Sequence, residues 1–285
     1  MLTGSKPTKI VNSQFLAAGY CKHFEAIALS GGRWRSIKFP AIFNLITHSD
    51  YGYFLFDTGY TNRFADATKK FPDNLYRLAT PVTISSEQSA EQQLLKLGIQ
   101  PKEIKGIIIS HFHADHIAGL LDFPQAKLYC SQAAYKIATE SNRFKRIKNG
   151  VLNLLLPKDF SSRVIFSESL SIRNLDSSMA PFTYGYDLLN DGSLIIMELS
   201  GHACGQIGLL YINNNYQKQF LVADACWSTH AFKHFIPPNF IAKFITANYK
   251  DYIKNLHNLH LLNKNNSEVL IAPSHCSEIY HQYVQ

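Results

Sequence analysis

The sequence predicts a mixed α/β fold of packed layers, and three observations carry that reading. Short apolar runs bounded by turn residues recur along the whole chain, and helix-like segments lie between them. In addition, 46% hydrophobic and 17% charged residues is the balance of a chain that buries a sizeable core. No internal repeat or low-complexity linker is legible, so the 285 residues are read as one domain, 1–285.

The strand-like runs are 41–46, 53–56, 106–109, 126–130, 193–198, 207–212, 220–222 and 269–272. Each is apolar and bounded by turn residues, and each is too short for a stable helix. Helices are expected at 86–97, which opens on Ser86-x-x-Ser89 and is rich in Glu, Gln, Leu and Ala, at 131–140, and at 249–262. Between about 142 and 182 the periodicity weakens and basic residues, Gly, Pro and Ser accumulate, which suggests an irregular insertion lying over a site as a lid.

Composition removes several function classes. The first ten residues lack the apolar stretch of a secretory signal, and nowhere do about 18 apolar residues run together, so a cytoplasmic protein with no membrane span is expected. Five cysteines, Cys21, Cys130, Cys204, Cys226 and Cys276, form no C-x-x-C pair and suggest reduced thiols rather than a disulfide framework. The net charge of +7 could draw an anionic partner, but the basic residues are dispersed. Their densest cluster, Arg143-Phe144-Lys145-Arg146-Ile147-Lys148, reads as a solvated or lid-like loop before it reads as a nucleic-acid patch.

Chemistry concentrates directly after the run 107–109, in Ser110-His111-Phe112-His113-Ala114-Asp115-His116. Four potential ligands in six residues is a density that core histidines do not reach by chance. Where a strand leaves the sheet for a loop, imidazoles two residues apart can converge from one side while Asp115 and His116 face a neighbouring position. Imidazole with carboxylate suits zinc, with manganese or iron as further candidates. Three more donors end predicted strands: His202 within Ser200-Gly201-His202-Ala203-Cys204-Gly205, Asp224 after 220–223, and His275 after 269–274.

These motifs, H-x-H-x-D-H, a glycine-flanked His, an Asp that ends a strand and a final His, resemble the metallo-β-lactamase superfamily in order and spacing. The likeness runs from Phe56-Asp57-Thr58-Gly59 to His275. It implies an αββα sandwich with its site at the sheet edges. It further implies that His111, His113 and His202 hold one divalent ion, that Asp115, His116 and His275 hold the other, and that Asp224 bridges them. Asp57 would orient a ligand from behind; its plainer role is a turn former beside Gly59.

Two divalent ions about 3.5–4 Å apart can share a hydroxide and polarise the oxygen under attack, so hydrolysis of a small-molecule substrate is the expected chemistry. Asp115 is the expected catalytic carboxylate, orienting the nucleophile or passing its proton to the leaving group. Within the superfamily the chain looks most like the acyl-homoserine-lactone lactonases, which carry a tyrosine three residues after the bridging Asp. Here that position is Trp227, whose indole N–H can donate but cannot titrate. Trp227 and Phe112 are the candidate substrate contacts, with Tyr60 and Phe232 beside them, and ordinary core packing is their plainer reading. The motif segments hold no Lys or Arg, which favours a lactone or carboxyl ester over a phosphodiester, the alternative substrate class. A non-catalytic binding protein on this fold would be expected to have lost donors. Cys204, Cys226 and Cys276 follow His202, Asp224 and His275 closely and are read as space-filling thiols rather than ligands.

Overall fold

A computed structural model describes residues 9–284; of the span 1–285 expected as one domain, residues 1–8 and 285 lie outside the described residues. In chain order the strands are β1 (Asn12–Phe24), β2 (Ser36–His48), β3 (Gly52–Phe56), β4 (Val82–Thr83), β5 (Ile104–Ile108), β6 (Lys127–Cys130) and β7 (Val164–Phe166), followed by β8 (Ser171–Asn174), β9 (Tyr184–Asp187), β10 (Ile195–Glu198), β11 (Ile207–Ile212), β12 (Lys218–Ala223) and β13 (Leu270–Pro273). They form two sheets, ordered β4-β1-β2-β3-β5-β6-β7 and β13-β12-β11-β10-β9-β8. The eight apolar runs of the sequence coincide with β2, β3, β5, β6 and β10 to β13.

Side-chain alternation explains why these runs are apolar at nearly every position. On β2, Ile42 and Ile46 face the other sheet, while Phe43 and Leu45 face outward under helices. On β12, Leu221 and Ala223 point between the sheets and Phe220 and Val222 point outward. A strand covered on both faces has no polar face to show. The outer covers are Ala90 and Leu94 of helix Ala90–Lys96 with Ala134 and Ala138 of helix Gln132–Glu140 on one side, and Leu256, Leu259 and Leu262 of helix Tyr249–Asn265 on the other. Helix, sheet, sheet and helix thus stack as an αββα sandwich. Each fully buried Leu or Phe in these layers contributes about 1.5–3 kcal/mol.

Helix starts follow local capping chemistry. Ser89 Oγ accepts from Gln92 N, and Ser131 Oγ accepts from Ala134 N. The helix expected from residue 86 therefore opens as a 3-10 turn, Ser86–Gln88, and becomes α-helical only after Ser89. Asn248 Oδ1 accepts from the amides of Lys250 and Asp251 at the start of the longest helix.

The stretch 142–182 is more ordered than its composition suggests. It contains the helix Arg143–Lys148, then β7, which pairs in parallel with β6, and β8, which pairs antiparallel with β9. Short edge strands show no periodicity to read: β7 is only Val164-Ile165-Phe166, and β8 is polar at all but Ile172. Among the described residues no helix is long and apolar enough to cross a membrane.

The parallel pairings matter most for the site. Strands β3, β5, β6 and β7 run parallel, as do β12 and β13, so the loops leaving β3, β5, β12 and β13 all emerge at one edge. Backbone bonds tie those loops together: Asp57 N donates to Ile108 O, Ile207 N to Ser110 O, Ser274 N to Ala223 O, and Ile42 N to Ser274 O.

Candidate metal centre

All seven donors named from the sequence meet at that edge. One group gathers His111, His113, His202 and Asp224, a second gathers Asp115, His116 and His275, and within each group the donor atoms lie within 4.8 Å of one another. Local backbone sets their aim. Ala223 has φ 47°, a left-handed turn that ends β12 and redirects the chain at Asp224. Gly201, with φ 149°, lies so close to the long helix that a Cβ would stand 2.4 Å from Tyr252 N, so a larger residue would push the His202 loop off that helix.

Asp224 stands between the two groups. Its Oδ2 is 3.3 Å from His202 Nε2 and 3.2 Å from His275 Nε2, and its Oδ1 is 3.5 Å from His116 Nε2. Asp115 Oδ2 lies 3.1 Å from His275 Nε2. His202 Nε2 and His113 Nδ1 face each other at 3.1 Å. Several inward atoms are buried without a hydrogen-bond partner: His111 Nε2, His116 Nε2 and Asp224 Oδ1. Buried polar atoms are rarely left unpaired, and orphaned imidazole nitrogens converging on a carboxylate form the donor set that a divalent cation satisfies.

Behind the donors, the other ring nitrogens are held from outside. His116 Nδ1 is 2.7 Å from Asp57 Oδ2, His275 Nδ1 donates to Pro40 O at 2.7 Å, and His111 Nδ1 is 3.0 Å from Ser110 Oγ. Asp57 also accepts from Ser110 N and Ser110 Oγ, both at 2.8 Å, and it adopts φ 62° in full burial. Its carboxylate therefore contacts both His116 and Ser110. Such partners fix the tautomer and leave the inward nitrogen free to ligate.

Electrostatics separates the groups. Burial drives His111 well below its usual value and His202 down to about 3, so both stay neutral, the form that binds a metal. Burial also disfavours charge on His116, but Asp57, Asp115 and Asp224 outweigh it and hold the imidazole up at about 10. His275 is likewise raised against burial by Asp224 and Asp115. Asp115 and Asp224 resist the burial penalty on their own charge and lie low because His116 and His275 neutralise them.

Two cavities open onto the donors. One, of about 400 Å³, is lined mainly by apolar groups including Ile27, Phe39, Tyr60, Leu75, Tyr76 and Trp227, with His113, Asp115, His202, Asp224 and His275 at its base. Trp227 lines it, and its Nε1 donates to Asp224 Oδ2 at 3.2 Å. Tyr60 also lines it, whereas Phe232 is packed in the outer core. Phe112 is buried against Phe160 and borders the second cavity, of about 620 Å³, instead of the apolar one. Cys226 and Cys276 are buried beside the site and Cys204 is half-buried on the second cavity.

Four contributors escaped sequence reasoning. Cys21, His23 and Tyr76 line the apolar cavity, and Pro40 O holds His275 from 235 positions away. None sits in a motif, and β1, which carries Cys21 and His23, has its alternation broken by a register shift between Ala17 and Tyr20.

This fold and donor edge define a class. Residues 44–178 match the model of the metallo-beta-lactamase superfamily. Among its relatives, the N-acyl homoserine lactonase AttM of Rhizobium johnstonii is 25% identical over 219 residues, covering 77% of each chain. A structure of an N-acyl homoserine lactone hydrolase with the product N-hexanoyl-L-homoserine at its catalytic metal centre superposes with a TM-score of 0.74 over 96% of each chain, at 16% identity. That of AidC, a dizinc quorum-quenching lactonase in complex with a product, gives 0.63 over 94% of this chain and 88% of that one, also at 16% identity. These likenesses between structures establish a shared fold.

Proposed function

We propose that this chain is a two-metal hydrolase that cleaves a small lactone or carboxyl ester. The observation that carries the reading is the convergence of seven donors as two groups with Asp224 between them. His111, His113 and His202 would hold one divalent cation, Asp115, His116 and His275 the other, and Asp224 both, with zinc first among the candidates and manganese and iron behind it. Bound there, the cations would supply Lewis acidity and a nucleophile derived from water at neutral pH.

The chain's own groups shape the rest. Asp115 is ionised at neutral pH, because His116 and His275 overcome the burial that would raise it, and it lies at the cavity base where it can orient water or carry a proton to a leaving oxygen. Trp227 steadies Asp224 through its indole N–H and presents its ring to the cavity. The apolar walls exclude water and suit a hydrocarbon arm next to the carbonyl. Relatives named as acyl-homoserine lactonases support a lactone, and five unpaired thiols support a cytoplasmic setting.

The test is a panel of hydrophobic lactones, esters and phosphodiesters offered to metal-loaded protein. Hydrolysis of a lactone or ester is expected, reduced roughly tenfold in Trp227→Ala, as expected for losing one large apolar wall. Cleavage of phosphodiesters with lactones and esters untouched would overturn the substrate class.

A further inference from the structure

The second cavity has a different chemistry from the first. Its lining carries Lys145, Lys148 and Lys243 with no Asp or Glu, and it meets the apolar cavity at His113, Lys148, His202, Phe244 and Ile245, which line both. The basic cluster read from the sequence as a loop is a short helix, Arg143–Lys148, and its charges divide by role. Arg143 is committed to Asp73, and Arg146 Nη1 donates to Ser141 O. Lys145 and Lys148, three residues apart and so on one helix face, both border the cavity, and neither forms an ion pair among the described residues. From the opposite segment, Phe240–Phe244, Lys243 completes the set, its Nζ resting 5.0 Å from the Tyr249 ring centre. Three like charges border one concavity whose own lining holds no carboxylate, an arrangement that favours an anion there.

We propose that this basic chamber seats an anionic group of the substrate, so that the substrate is an ester or lactone with an apolar arm on one side of the carbonyl and a carboxylate or other oxyanion on the other. The inference rests on the hydrolase reading above for the position of the carbonyl, between the chambers at His113 and His202. The apolar chamber takes the hydrocarbon arm, and the lysines take the charge.

The experiment compares kcat/KM of the metal-loaded full chain for a hydrophobic ester ending in a free carboxylate and for its methyl ester. A preference of roughly tenfold for the carboxylate, expressed in KM, is expected for three exposed charges acting together. It should shrink as salt rises, fall towards one in Lys145→Gln/Lys148→Gln/Lys243→Gln, and return in the corresponding triple Arg variant. Equal kcat/KM for both esters in the wild type overturns the anionic chamber and leaves the hydrolase reading standing. If neither ester is cleaved, the hydrolase reading falls, and calorimetric binding of the matching carboxylate amide then decides for the chamber. Binding weakened by the triple Gln change sustains it, and equal binding overturns it.

Discussion

The two donor groups sit on one sheet edge yet differ in how they treat charge. His111 and His202 are neutral because burial dominates them. His116 and His275 carry charge because Asp57, Asp115 and Asp224 surround them. Without a cation, the second group therefore supplies its own positive charge as protonated imidazole. A divalent ion would take over that task. The first group is a ready set of neutral ligands, and the second must give up protons to bind.

The comparison can be broken in several places, the largest effect first. Replacing His275 or His116 by Ala should lower turnover on the order of 10³-fold, since several kcal/mol of charge stabilisation is lost with the second cation while the folded core remains. Turnover within a factor of two of wild type would remove the second group from the chemistry. Asp57→Asn retains size but removes the carboxylate behind His116, so metal affinity of that group should weaken about 10–100-fold, read by competition with a chelator. Equal loss from both groups would show that Asp57 acts through the fold instead.

A smaller effect concerns pH. His116 in the metal-free protein is raised from its usual 6.5 to about 10, so its contribution to stability is fully present below about 6.5 and is lost as pH rises through 10. The melting temperature of chelator-treated protein should therefore fall across that window, and metal loading should release protons at pH 7 to 8, measured in unbuffered solution. Metal uptake without proton release would contradict the assignment of charge to His116. Smallest of all, limited proteolysis should favour 143–150, at the cavity rim, over 164–174, where β7 and β8 are paired in the sheets. First cuts within 164–174 would reverse that ranking.

The donors were legible because each follows a strand whose two buried faces make it uniformly apolar, so the polar residue marks the exit. His111 after 107–109 and Asp224 after 220–223 show this directly. The outer partners were less legible. Asp57 was named through the Asp57-Thr58-Gly59 turn that carries the resemblance, whereas Ser110 and Pro40 act through a hydroxyl and a carbonyl whose partners are set by sheet packing. The roles of Phe112 and Trp227 diverged for the same reason. Trp227 stands after the β12 exit and reaches the cavity, while Phe112 lies between two donors and turns into the core.

The most direct measurement is the metal content of the purified protein and of its donor variants by elemental mass spectrometry. Two divalent transition-metal ions per chain are expected in the wild type, with one retained in His111→Ala and one in His275→Ala. A single ion in the wild type, or two still bound in both variants, would contradict a centre built as two groups joined by Asp224.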